Sequence, residues 1–170
     1  MMLLAAVYQY DDSPSVLPYL IVCAVIGAIF LLYVRHTRGR SDAMRKLADR
    51  HGLQYLAMTL PAEFPRKLLD DLYAGWLIPR WEAPQNVIGG AQGDDILVAF
   101  DITVHRGKSH YRRTVVARRS PNHSPKESFG KRYLYRMMGD WQLVTLQSSV
   151  LSISRLIEPG TIEKLWEQLR

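Results

Sequence analysis

The sequence lacks several features from which a protein's function is commonly assigned. It contains one cysteine, Cys23, among 170 residues. A single thiol excludes an intramolecular disulfide framework and a zinc site built from several cysteines. The chain also has no Walker loop, no HExxH, GxSxG or CxxC motif, and no dinucleotide fingerprint. The sequence therefore assigns no reaction, and we expect no catalytic residues, no metal site and no cofactor.

Charge is absent from the segment between Val16 and Val34, which runs for 19 residues without Asp, Glu, Lys or Arg. A helix of that length is about 28 Å long, close to the roughly 30 Å hydrocarbon core of a bilayer. The segment has no polar stripe, which a buried core helix would normally show. Tyr19 and Tyr33 lie near its two ends, at the depth that amphipathic rings prefer. We therefore predict a transmembrane helix over residues 16–34.

Basic residues are absent before this span, where Asp11 and Asp12 are the only charged residues. A cleavable signal peptide needs a basic region there, so that alternative fits poorly. All 22 Lys and Arg follow the span, and Arg35 and Arg38 follow it at once. The positive-inside rule predicts a protein of the inner (cytoplasmic) membrane with its N-terminus outside. The predicted regions are a short extracytoplasmic segment (1–15), a basic juxtamembrane linker (35–40) and a cytoplasmic domain (41–170).

Three amphipathic helices are predicted after the span. Thr37 to Gly39 indicates a break, after which Ser41 is expected to cap a new helix. Pro65, or alternatively Pro61, is expected to begin the second helix, and Pro159 the third. Apolar residues recur at helical spacing in each, and we expect these to face inward: Met44, Leu47, Ala48 and His51; Phe64, Leu68, Leu69 and Leu72; Ile162, Leu165, Trp166 and Leu169.

Alternating residues and turn signals predict a sheet between these helices. The fold class is therefore a small α+β domain, in which a mostly antiparallel sheet is covered on one face by two or three amphipathic helices. Residues 120–130 contain two Ser-Pro pairs and are predicted to form an exposed loop. The predicted strands are Leu53–Thr59, Asn86–Gly90, Ile96–His105, His110–Arg119, Tyr133–Met138, Trp141–Leu146 and Val150–Leu156.

The clearest hairpin joins the third and fourth of these strands. With Gly107-Lys108 as a two-residue loop, His105 faces His110 and Phe100 faces Val115. One face of the pair is then largely apolar. The other face is expected to be a solvated polar surface formed by Asp101, Thr103, His105, His110, Arg112, Thr114 and Arg118.

This layout resembles a family of bacterial single-pass membrane-anchored proteins that share a domain of unknown function. The resemblance rests on three short motifs: Asn86-Val87-Ile88-Gly89-Gly90, Phe100-Asp101-Ile102 and Thr114-Val115-Val116. It implies an architecture of one N-terminal span, a short helix and a strand pair, and it implies no activity. The order of strands and closing helix is also similar in topology to pleckstrin-homology-like domains, and such a likeness does not assign function.

Positive charge is concentrated in the hairpin region. Residues 101–136 hold ten Lys and Arg but two acids, a net charge of +8. A basic domain tethered beneath a membrane lies within reach of anionic lipid headgroups. We predict a non-enzymatic protein that binds either the anionic membrane surface or a protein partner. Nucleic-acid binding is a third hypothesis, because tyrosines alternate with the basic residues of this region. The predicted contact residues are Arg106, Lys108, Arg112, Arg113, Arg118 and Arg119.

The alternative hypothesis is an enzyme of unknown reaction that uses Asp101, His105 and His110, because histidine and carboxylate groups serve acid–base and metal chemistry. Asp101 and His105 are four residues apart on one strand, about 13 Å, which is too far for both to bind one ion. The two histidines alone leave a metal site two ligands short. Trp76, Trp81 and Trp141 are interpreted as core or membrane-interface residues.

Overall fold

The fold is described from a computed structural model, which covers residues 16–73, 80–106, 108–121, 129, 132–146 and 156–169. The chain divides between Arg38 and Gly39 into two compact units. The second unit has the α+β architecture that the sequence predicts.

The first helix, α1, spans Leu17–His51 and is continuous. The predicted break at Thr37 to Gly39 is therefore wrong, and residues 35–40 are helical. The Thr37 hydroxyl donates to the carbonyls of Tyr33 and Val34, which satisfies its polarity within the helix. Ser41 lies in the helix interior, and its hydroxyl donates to the Asn86 side chain 2.7 Å away instead of capping a helix start.

In the described part of the chain, seven strands and two further helices follow α1. Their bounds are β1 (Gln54–Ala57), α2 (Lys67–Tyr73), β2 (Arg80–Trp81), β3 (Gln85–Gln92), β4 (Asp95–Arg106), β5 (Ser109–Arg119), β6 (Tyr133–Met138), β7 (Trp141–Leu146) and α3 (Pro159–Gln168). The predicted strand at Val150–Leu156 lies outside the described residues except for Leu156, which is not in a strand. Most of the predicted loop at 120–130 also lies outside them.

The strands form one antiparallel sheet in the order β1-β3-β4-β5-β7-β6, and β2 pairs with β4. The predicted hairpin register is confirmed, because His105 pairs with His110 and Phe100 with Val115. The predicted strands Tyr133–Met138 and Trp141–Leu146 are also confirmed, as β6 and β7. Gly139 lies in the turn between them with a φ of 62°, a conformation in which glycine carries no steric penalty.

Helices pack on both faces of the sheet, whereas the sequence predicted helices on one face only. On one face, α1 and α3 pack over Ile88, Leu97 and Val116. On the other, α2 and the segment before it pack over Val98 and Phe100. The second layer forms because the alternation in β4 places apolar residues on the face opposite α1, and these also require burial.

The predicted closing helix is confirmed. Pro159 stands in the first turn of α3, and the four predicted inward residues, Ile162, Leu165, Trp166 and Leu169, are buried. Trp141 is a core residue that contacts Phe64 edge to face, with ring centroids 5.0 Å apart. Trp76 and the side chain of Trp81 lie outside the described part of the chain.

Candidate functional site: the polar face of the hairpin

The predicted polar face of the β4–β5 hairpin lies on the side of the sheet that α1 and α3 cover. Leu97 and Val116 belong to the core beneath these helices. Side chains two residues apart on a strand share a face, so Asp101 and Thr114 point the same way. Both are buried. The expectation of a uniformly solvated polar face is therefore wrong at this end of the hairpin.

The buried end is organised around the carboxylate of Asp101. Arg40 of α1 donates to both carboxylate oxygens, from Nε to Oδ2 at 3.0 Å and from Nη2 to Oδ1 at 2.9 Å. Thr114 donates to Oδ1 at 2.7 Å, and the Asn86 amide donates to Oδ2 at 3.0 Å. Asp101 thus accepts four hydrogen bonds in a bidentate, charge-assisted arrangement. These four bonds occupy both oxygens, which leaves neither free to bind a metal.

Further hydrogen bonds fix the groups around this ion pair. Arg40 donates from Nη1 to the Ile157 carbonyl at 2.7 Å, and the Ile157 amide donates to Thr114 Oγ1 at 3.0 Å. Asn86 has a φ of 52°, a left-handed conformation that asparagine adopts more readily than most residues. The Tyr55 hydroxyl donates to Asn86 Oδ1 at 3.2 Å. The network connects α1, the sheet and the approach to α3, so its role is structural.

The predicted contact arginines separate into buried and exposed groups. Arg113 and Arg118 are buried, so the prediction that they form part of a contact surface is wrong. Arg118 donates to the Leu169 carbonyl at the end of α3, and its Nη2 lies 2.6 Å from Asp95 Oδ2. The guanidinium of Arg113 lies 5.6 Å from the centroid of the Tyr111 ring. Packing of α3 on the sheet accounts for the burial of Arg118, because Leu169 belongs to that helix terminus.

Three of the other predicted contact residues lie at or near the protein surface. Lys108 is exposed, and Arg112 is half-buried and donates to Gln85 Oε1 at 3.2 Å. Arg119 is exposed and forms an ion pair with Asp140. The side chain of Arg106 lies outside the described residues. Lys108 and Arg112 are therefore the predicted contact residues near the loop that joins β4 to β5, which we call the open end of the hairpin.

The open end also contains His105 and His110. Their rings meet edge to face with centroids 4.4 Å apart. Glu82 lies beside these two histidines, and its Oε1 is 3.2 Å from His105 Nε2. Asp101, which the enzyme hypothesis places with these histidines, is instead bonded to Arg40. Glu82 was not predicted, since only the pairing of β2 with β4, across 23 residues of sequence, brings it to the hairpin.

The first half of α1 is a candidate membrane-spanning helix by length and composition. Its most apolar 18-residue window has no residue buried inside the structure. Large side chains such as Leu20, Ile26, Phe30 and Leu32 are exposed around the whole helix. A contiguous apolar surface of this kind is typical of a segment that contacts lipid or another protein.

Comparison of the chain with protein-family models, with curated proteins and with solved structures found no match. The resemblance to membrane-anchored bacterial proteins therefore stays a prediction, as does the topological likeness to pleckstrin-homology-like domains.

Proposed function

We propose that this chain is a non-enzymatic single-pass membrane protein whose folded unit lies on the cytoplasmic side of the inner membrane and contacts its anionic surface. The observation that carries the proposal is the apolar first half of α1 (residues 17–34), which has no buried residue and is followed by Arg35 and Arg38. The hydrophobic effect opposes leaving such a surface in water.

The length of the apolar helix supports a span. Leu17 to Val34 is 18 residues, about 27 Å of helix, which matches the hydrocarbon thickness with little tilt. Beyond the first turn, the backbone amides of such a helix are satisfied internally, as the lipid environment requires. The charge distribution sets the proposed direction, because Lys and Arg are absent before the span and abundant after it.

The tether between span and folded unit keeps the second unit close to the headgroups. Gly39 is five positions after Val34, and even a fully extended chain of that length covers at most about 18 Å. Arg35 and Arg38 are exposed on this stretch of α1. Each Lys or Arg close to an anionic leaflet contributes about 1 kcal/mol of attraction. The juxtamembrane arginines therefore supply the first contacts.

The open end of the hairpin supplies the second set of contacts. Arg40, where α1 enters the folded unit, is bonded to Asp101, and Asp101 is four residues, about 13 Å, from His105. The entry point of α1 thus lies about 13 Å along β4 from the end that carries the hairpin loop. Lys108 and Arg112 at this end are the basic residues that we propose to face the lipid.

Lysine footprinting of the full-length protein in lipid nanodiscs tests this proposal. An amine-reactive reagent is applied in neutral and in anionic discs, at low and high salt, and modification is measured by mass spectrometry. We expect anionic lipid to slow modification of Lys108 several-fold, and salt to restore the rate, because screening weakens exposed charge contacts. Lys164, which is exposed on α3, is the internal control and should not respond.

Two matched variants on β5 refine the test. Arg112→Glu should abolish the protection of Lys108, whereas Arg119→Glu, on the opposite face of the same strand, should not. Equal modification of Lys108 in neutral and anionic discs would contradict lipid contact. That result would favour the hypothesis of a protein partner.

A further inference from the structure

A cluster of three potential metal ligands lies at the open end of the hairpin. The ligand atoms of Glu82, His105 and His110 all lie within 4.8 Å of one another. We propose that these residues bind a divalent transition-metal ion of the zinc class. The proposal is independent of lipid contact, because it rests on the geometry of these three side chains alone.

The donor set fits this class of metal. Imidazole nitrogen binds Zn²⁺, Cu²⁺, Ni²⁺ and Co²⁺ well, and two imidazoles with one carboxylate form a known three-ligand arrangement. Zinc binds such ligands at about 2.0–2.2 Å, so donor atoms on one ion lie closer together than the distances of up to 4.8 Å between these three ligand atoms. Side-chain torsions of two histidines and one glutamate are enough to close that difference. Water would complete the coordination shell.

The backbone holds all three residues in register. His105 and His110 are directly opposite each other across β4 and β5. Arg80 of β2 also pairs with His105, and the Glu82 amide donates to the Thr103 carbonyl at 3.0 Å. Three chain segments are therefore joined by sheet hydrogen bonds directly beside the ligands. Ligands on a rigid sheet lose little entropy when a metal binds.

The surroundings distinguish a metal site from a simple hydrogen bond. A bond between His105 and Glu82 accounts for their 3.2 Å contact and needs no second histidine. His110 nevertheless lies edge to face against His105, with its ring centroid 4.4 Å away.

Two positive charges lie close to His110 in the sequence, on Lys108 and Arg112. They repel a bound cation, so we expect an affinity below that of structural zinc sites.

Metal titration of the full-length chain tests the proposal. Protein in neutral nanodiscs is first freed of metal with a chelator and then titrated with Zn²⁺ by calorimetry and with Co²⁺ by visible absorption. We expect one ion per chain and a cobalt spectrum with nitrogen ligands. Loss of a second-shell partner already costs about tenfold or more in metal affinity, so His105→Ala and His110→Ala should each weaken binding at least that much. Glu82→Gln should weaken it as well.

Two controls exclude binding elsewhere. His36→Ala changes an exposed histidine of α1 and should leave the affinity unchanged, as should Glu63→Gln on the exposed segment before α2. Melting curves recorded without metal establish that each variant is folded. Zinc should raise the melting temperature of the wild type and of both controls but not of His105→Ala, because a ligand that binds only the folded state stabilises it.

Several results would overturn the proposal. These are absence of binding to the wild type, equal affinity in the wild type and His105→Ala, and loss of binding in His36→Ala. A zinc-induced shift in melting temperature that persists in both histidine variants would do the same.

Discussion

The two halves of α1 differ sharply in what surrounds their apolar side chains. In the first half, Leu32 is 67% exposed, and apolar residues cover every side of the helix. In the second half, Leu47 is 1% exposed, and burial is confined to one stripe with Met44 and Ala48. The same residue type in one continuous helix therefore has two different environments.

The two environments have different sources. The stripe of the second half matches the sheet and α3, which cover one side of the helix and leave the other to charged residues. No stripe is present in the first half, and a helix that is apolar all round requires an apolar medium all round. The second half of α1 is completed by the protein, and we propose that the first half is completed by lipid.

The largest expected effect comes from the ion pair that fixes the second half of α1 to the sheet. Arg40 and Asp101 have side chains that are 9% and 1% exposed. Asp101→Ala leaves a buried guanidinium without its partner, which should cost about 3–5 kcal/mol of unfolding free energy. Urea denaturation in detergent, followed by tryptophan fluorescence, measures this cost. Asp94→Ala in the exposed turn before β4 is the control and should change stability by less than about 0.5 kcal/mol.

A double variant sharpens this prediction. Arg40→Met with Asp101→Leu removes both charges and should recover much of the stability lost in Asp101→Ala, because a buried ion pair is costly mainly when it is broken. A loss below about 1 kcal/mol for Asp101→Ala would contradict a buried, desolvated network.

The next effect compares the two leucines directly. Leu47→Ala should destabilise the folded unit by about 2–5 kcal/mol, since it leaves a cavity in the core that α1 shares with α3. Leu32→Ala should leave the melting curve of that unit unchanged within about 0.5 kcal/mol. Both variants are measured in the same detergent. Equal destabilisation by the two variants would show that both halves of α1 have the same environment and would contradict the proposed difference between them.

The smallest effect concerns the exposed side of the second half. Glu163 of α3 lies 3.1 Å from Arg50 and 2.9 Å from His51, and Arg50 is 62% exposed. Glu163→Gln should cost no more than about 1 kcal/mol, because exposed ion pairs are screened. Glu167→Gln, one turn later on an exposed position, is the matched control. A loss comparable to that of Leu47→Ala would mean that surface charge, rather than the apolar stripe, fixes this part of α1.

Local patterns predicted much of the sheet but not what covers it. The β4–β5 register follows from period-two alternation and a short loop, and both are visible in adjacent residues. The burial of Asp101 depends on Arg40, which is 61 residues away in the sequence. The continuity of α1 was missed because Thr37 and Gly39 are weak helix formers individually, and the helix context overrides their preference.

The candidate site was predictable only in part for the same reason. Alternation correctly placed His105 and His110 on one face, whereas Glu82 reaches them through the short strand β2, which no local signal indicates. The burial of Arg118 likewise depends on the end of α3, 51 residues later. Tertiary contacts of this kind decide which polar residues are solvated, and alternation alone does not report them.

Membrane integration of the chain decides whether the first half of α1 spans the bilayer. The chain is expressed in bacteria with a fluorescent protein at its C-terminus, one that matures only in the cytoplasm. A span with a cytoplasmic C-terminus predicts an uncleaved fluorescent fusion that stays in the membrane fraction after alkaline carbonate extraction. Recovery in the soluble fraction, cleavage after the apolar segment or a non-fluorescent membrane-bound fusion would contradict the proposed span and its direction.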